Sequence, residues 1–193
     1  EGIGVTMGRL RDFAKGATMP DGLMEEVRQL ATQYQFFHWH LIFPEVSKQK
    51  GFDLVIGNPP WEKINFKDEE YFADSHPHIA NAANKAQRKA LLEKLRMDEP
   101  LAFSRYGAAK ATHDRMSIFF RFSGYFPLTG VSRINLYSVF CETALRIVNP
   151  TGFCGLVLAS GIVTDENNKD LFGFLINTKR LAHAWGFDNR EGV

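Results

Sequence analysis

Net charge is nearly absent from this chain: 23 Lys and Arg stand against 22 Asp and Glu, leaving +1 over 193 residues. That excludes the global basic field of small nucleic-acid binders. Cysteine is scarce too. Cys141 and Cys154 are the only two, too few for a disulfide framework and in keeping with a reducing cytosol. Both sit in apolar patterns and read as small core residues. The longest apolar stretch, around Phe153 to Val163, is too short to span a bilayer, and no secretory signal is visible. A cytoplasmic protein without a membrane segment is expected. The chain opens at Glu1 rather than Met and closes at Val193 without a terminating element, which reads as a piece of a longer protein. A nucleotide-binding glycine loop is also missing. Gly2, Gly4 and Gly8 cluster, but no apolar strand precedes them. A βαβ unit takes about 30 residues, and the stretch from Gly8 to Phe52 has room for one helix and no pair of strands.

What is present suits an ordinary domain or slightly more. Apolar residues make up 45% of the chain, enough for a real core. Residues 1–50 read as an N-terminal loop and helix leading into a sheet, and 51–193 as the main domain. The first twenty residues are patternless. Asp21 then offers an N-cap, and Leu23, Val27, Leu30, Tyr34 and Phe37 recur at helical spacing. Phe36 to Pro44 is aromatic-rich; its His38 and His40 have no further ligands nearby, so no metal set is read.

An insertion is expected over about 65–130, with a charged helix at Ile79 to Met97 and another at Glu99 to Phe122. His76-Pro77-His78 falls in a loop. From Lys85 to Arg121 nine basic residues face four acidic ones, a net +5. Arg88, Lys89, Arg96, Arg105, Lys110 and Arg115 are its candidate phosphate contacts, although a solvated helical face fits the same pattern. Beyond it, Leu136, Tyr137, Phe140, Cys141, Ala144, Leu145 and Val148 form a helical stripe stopped by Asn149-Pro150-Thr151-Gly152. Phe153 to Ala159 reads as a buried strand, Asp165 as a cap for an element facing Leu171, Phe174 and Leu175 inward, and Leu181 to Phe187 as a last strand. Alternating strands and helices imply an α/β fold with a mostly parallel sheet.

The most informative segment is Phe52-Asp53-Leu54-Val55-Ile56-Gly57-Asn58-Pro59-Pro60-Trp61. Leu54, Val55 and Ile56 suit a parallel strand buried on both faces. Asn58 and Pro59 each precede a proline and are pushed to extended conformations. Pro59 and Pro60 have fixed φ and no N–H. The product is a stiff turn at a strand's carboxyl end, where open α/β sheets place ligands. It offers acceptors beside a flat aromatic, which suits a planar substrate bearing an amino group. A simple strand-ending turn with a rim tryptophan is the plain alternative.

Asn58-Pro59-Pro60-Trp61 resembles motif IV of the amino-methyltransferases, and most closely that of the adenine-N6 DNA methyltransferases of restriction-modification and phage defence. Asn135-Leu136-Tyr137, Ser160-Gly161-Ile162 with Asp165, and Phe187-Asp188-Asn189-Arg190 follow in the family's order. The resemblance implies the C-terminal half of a Rossmann-like class I methyltransferase sheet, with a helical insertion after the motif strand. It implies S-adenosylmethionine as cofactor, held upstream of Glu1, and double-stranded DNA as partner. The Asn58 side-chain oxygen and Pro59 carbonyl would take the two hydrogens of a flipped adenine's amine. Pro60 and Trp61 would hold the base. A piece lacking the cofactor half would be inactive alone and could self-associate through an exposed sheet edge. A protein glutamine amide or an RNA base amine as substrate, and a non-catalytic DNA-binding or assembly module, are the other readings.

Overall fold

The computed structural model describes residues 6–131 and 133–187, which fall into two compact units, Glu1–Gln49 and Lys50–Val193. In the first unit α1 (Met7–Ala14) is followed by α2 (Asp21–Tyr34), α3 (Trp39–Ile42) and α4 (Pro44–Lys48). Residues 7–14 are therefore a helix and not the expected loop. The Thr6 hydroxyl accepts from the Arg9 amide at 3.3 Å, a cap strong enough to start a short helix of weak pattern. Pro20 rather than Asp21 precedes α2, and Asp21 occupies its acidic first turn. The helix stops at Tyr34 because Gln35 turns left-handed, with φ +46°, so Phe37 lies outside the stripe assigned to it. Phe37, Trp39 and Phe43 cluster through their rings.

The second unit is built on two parallel strands, β1 (Phe52–Gly57) and β2 (Val148–Leu156). Between them lie α5 (Asp68–Phe72), α6 (Pro77–Ala80), α7 (Lys85–Asp98), α8 (Pro100–Phe122) and α9 (Leu136–Ile147). After β2 come α10 (Gly161–Thr164), a 3-10 turn at Glu166–Asn168 and α11 (Lys169–Asn177). The insertion folds on its own core of Phe72, Ile79, Leu95 and Tyr106, with Phe66, Tyr71 and Phe103 packed around it. His76 belongs to this core's edge: it precedes α6, sets its ring edge-on to Phe72 and reaches Glu99 at 3.4 Å. The charged helix expected from Ile79 is two, α6 and α7. Asn84 breaks them by accepting from the Gln87 amide at 2.9 Å as the cap of α7.

Leu54 pairs with Phe153, Val55 with Cys154 and Ile56 with Gly155, so residues in register share a face. Val55 and Cys154 turn towards α9, where the Cys154 thiol lies 3.7 Å from the Ala144 carbonyl. The opposite face is bare: Leu54, Ile56 and Phe153 are 55%, 74% and 70% exposed. The expectation of burial on both faces is thus corrected, for both strands and for Cys154. A three-residue apolar run reports that a strand can be covered twice, not that both covers are present. Leu181–Phe187 forms no strand, since no described neighbour pairs with it, and Trp185 and Phe187 stand exposed. β2 begins at Val148, five residues ahead of Phe153, and absorbs the Asn149–Gly152 stop. Leu171 and Leu175 are buried as expected, but Asn168 rather than Asp165 stands at the start of α11, and Asp165 makes no side-chain cap bond. Among the described residues no helix is long and apolar enough to cross a membrane.

Candidate active site at the carboxyl end of the strand pair

β1 delivers the chain to Asn58 at a fixed height. The Val157 amide donates to the Gly57 carbonyl at 3.0 Å, closing the strand pair one residue before the turn. Asn58 follows exposed, Pro59 buried and Pro60 exposed, with every described peptide bond trans. Trp61 comes back across the strand end. Its Nε1 donates to the Val157 carbonyl at 3.4 Å while the residue stays 52% exposed. One edge of the indole is tethered and a face is left to solvent.

The chain's exit is also held. The Leu136 amide donates to the Glu62 carbonyl at 2.9 Å, and the Ile64 amide to the Ile134 carbonyl at 2.9 Å, so Lys63 and Asn135 bridge antiparallel. Neither the Asn58 side chain nor the Pro59 carbonyl takes part in a hydrogen bond among the described residues. The turn therefore holds two acceptors without a hydrogen-bond partner, one on exposed Asn58 and one on buried Pro59, in a backbone stiffened by two prolines and followed by a half-exposed tryptophan. An amine with two hydrogens and a flat ring meets complementary groups there. No titratable group is built into it. Of the two thiols, burial lifts Cys141 to about 12 and raises Cys154 above its ordinary value, which disfavours the thiolate form a nucleophile needs.

The sequence named Asn58, Pro59, Pro60 and Trp61, and the structure gathers them at one strand end. It had no signal for the Val157 carbonyl, because any residue could supply it. Of the basic candidates, Arg88 drops out. Its side chain is only 11% exposed, pairs with Glu69 at 2.8 Å, and donates to the carbonyls of Ile79 at 3.3 Å and Ala80 at 3.2 Å. It ties α5, α6 and α7 together and has little left for a phosphate. Arg96 lies 3.7 Å from Glu93, and the Lys110 ammonium reaches the Tyr106 hydroxyl at 3.5 Å and lies over its ring. Lys89, Arg105 and Arg115 are exposed and have no partner among the described residues. His38 and His40 set their rings 5.8 Å apart, and among the described residues no group of three His, Cys, Asp or Glu is placed to hold a metal ion. Asp188, Asn189 and Arg190 lie outside the described residues, as do Gly2 and Gly4.

Among the described residues there is no glycine loop after a strand of the kind the resemblance implies for S-adenosylmethionine. Gly8 sits inside α1 and not in a loop after a strand. β1 runs into Asn58-Pro59-Pro60, where two residues have no N–H to offer an anionic group.

Residues 10–93 match the family model of the Eco57I restriction-modification methylase. The matched stretch contains β1 and the whole Asn58–Trp61 turn and ends inside α7, so this part of the chain is similar to restriction-modification methylases. No curated protein and no solved structure matches the chain.

Proposed function

We propose that the Asn58–Trp61 turn is the target-amine site of a DNA methyltransferase that acts on the exocyclic nitrogen of adenine. The observation that carries this reading is the pair of unpartnered acceptors, the Asn58 side-chain oxygen and the Pro59 carbonyl, next to a half-exposed indole. The segment's similarity to restriction-modification methylases supports it. S-adenosylmethionine as the methyl donor belongs to the proposal, and no step is derived through it.

The lone pair of adenine's exocyclic nitrogen is delocalised into the ring. Two acceptors taking its two hydrogens draw the nitrogen towards tetrahedral geometry and localise that lone pair, which makes it nucleophilic. Because two prolines set the turn, the acceptors need little reorganisation when the base arrives. The base has to leave the duplex, at a cost of about a few kcal/mol. Stacking on Trp61 returns about 1–3 kcal/mol of it. Lys89 on α7 and Arg105 and Arg115 on α8 are exposed cations without a partner among the described residues, and would take phosphates. The bare apolar face and open edge of the strand pair are surfaces through which the isolated chain would self-associate.

Methyl transfer by the full-length polypeptide to duplex DNA, RNA and a glutamine-containing peptide tests this. DNA should be methylated at adenine, and Asn58→Ala should abolish transfer while leaving the unfolding midpoint close to that of the parent. Undiminished activity in Asn58→Ala would overturn the reading, and transfer to RNA or peptide alone would reassign the substrate.

A further inference from the structure

Four buried polar side chains join the exit of the Asn58–Trp61 turn to the segment after β2. Asn135, Tyr137, Ser138 and Asn168 are each 3% exposed or less. Asn168 is the hub. Its Nδ2 donates to the Tyr137 hydroxyl at 3.1 Å and to the Gly161 carbonyl at 2.7 Å, and its Oδ1 accepts from the Ser138 hydroxyl at 2.6 Å. Asn135 Nδ2 donates to the same Tyr137 hydroxyl at 3.1 Å. Through its backbone Asn135 bridges Lys63, two residues beyond Trp61. A chain of contacts thus runs from Asn168 through Tyr137 and Asn135 to the segment that leaves the turn.

The network carries one buried polar atom that it does not satisfy. Asn135 Oδ1 is buried without a partner, and such an orphan costs about 1–3 kcal/mol. Turning the amide over would let the Tyr137 hydroxyl donate to the oxygen, but would strand Nδ2 instead. Apolar side chains would bury as well and leave no orphan. What polar groups add is direction: each bond is satisfied in one relative placement of α9, Gly161 and the 62–64 segment. Gly161 is packed to match, since a Cβ there would lie 2.7 Å from both the Tyr137 hydroxyl and an Asp165 carboxylate oxygen.

We infer that Asn135, Tyr137 and Asn168 are positioning residues for the Asn58–Trp61 turn, fixing the segment by which the chain leaves it; the inference rests on that turn being the reactive site proposed above. They touch no substrate. They set where Trp61 and the two free acceptors stand relative to the carboxyl end of β2.

The indole N–H signals of the three tryptophans test this in the chain itself, with Trp61→Phe identifying the Trp61 signal. In Tyr137→Phe the Trp61 signal should move and its hydrogen exchange should accelerate about tenfold or more, as its bond to Val157 opens. Those of Trp39 and Trp185 should stay. Thr129→Val is the matched control: it removes a buried 2.7 Å bond to Glu142, on the same helix α9, without touching the network. It should lower stability and leave Trp61 alone. Should Tyr137→Phe not fold, Ser138→Ala removes one bond to Asn168 and should move Trp61 less, in the same direction. An unmoved Trp61 in the network variants, or an equal movement in Thr129→Val, overturns the inference. In the full-length polypeptide, Tyr137→Phe should lower kcat about tenfold with KM for DNA within about twofold. A loss confined to KM speaks against positioning. Failure of Asn58→Ala to affect activity would remove the proposed function but leave the indole result standing or falling by itself.

Discussion

The indole nitrogen of Trp61 donates to the backbone carbonyl of Val157, 96 residues further along the chain. That bond turns a tryptophan after two prolines into a fixed plate at the end of a two-stranded sheet. It also separates two properties of the side chain, its anchored edge and its open face.

Those properties come apart on substitution. Trp61→Ala should reduce extrusion of a target base, read as a smaller rise in 2-aminopurine fluorescence at that position, while duplex Kd changes by no more than about threefold. Trp61→Phe keeps a ring but loses the N–H, and should fall between parent and Ala. Equal extrusion in all three would reduce Trp61 to a structural rim residue.

The basic residues of the insertion should divide into two behaviours. Arg88→Met breaks the Glu69 pair and two carbonyl contacts, so it should lower the urea midpoint and leave the salt dependence of DNA binding unchanged. Arg105→Ala and Arg115→Ala should hardly alter stability. Each should instead reduce the slope of log K against log salt by about 1, the signature of one lost phosphate contact. Unchanged slopes would assign these arginines to a merely solvated face.

Alkaline pH should expose the packing of Tyr106. Burial, then its hydrogen bond to Asp68, lift its hydroxyl from 10.0 to about 12 in the folded chain. The folded state therefore keeps a proton that the unfolded chain releases first. The resulting stability is complete below pH 10, and is lost as pH rises through 12. Tyr106→Phe should lose about 1–2 kcal/mol at neutral pH, from the 2.9 Å bond to Asp68. It should also show a shallower alkaline decline. Cys141, lifted from 9.0 to about 12, contributes its own decline to both proteins and cancels in the comparison. Parallel alkaline curves for parent and variant would contradict this assignment.

Gly51 sits at the foot of β1 with φ +130°, and a Cβ there would lie 2.6 Å from the Ile147 carbonyl and 2.7 Å from the Asn149 amide. Backbone atoms cannot swing aside. Gly51→Ala should cost about 2–4 kcal/mol in chemical denaturation, more than an exposed glycine ordinarily does. A loss below about 0.5 kcal/mol would mean that the junction between α9 and β2 yields more readily than its geometry implies.

Local chemistry made part of this protein legible in its sequence. Asn58-Pro59-Pro60-Trp61 was readable because proline constrains φ and its neighbour's conformation wherever it stands, and because an apolar run before it makes a strand. The helix from Leu136 to Ile147 was readable from its period, but not which face it buries: Phe140 of the expected stripe stands 48% exposed, while Val139 and Glu142 beside it are buried. α1 was missed because one threonine cap outweighed a weak pattern, and α6 and α7 merged because a cap inside a charged stretch leaves the composition unchanged. Tertiary structure decided the rest. The bare face carrying Leu54, Ile56 and Phe153, the loss of Leu181–Phe187 as a strand, and the removal of Arg88 from the free cations all depend on which neighbour is present. So do the Val157 carbonyl and the Asn168 hub, whose bonds span from seven residues to 96. A side chain's type states what it can bond or bury; only the folded chain supplies the partner that determines which of these it does.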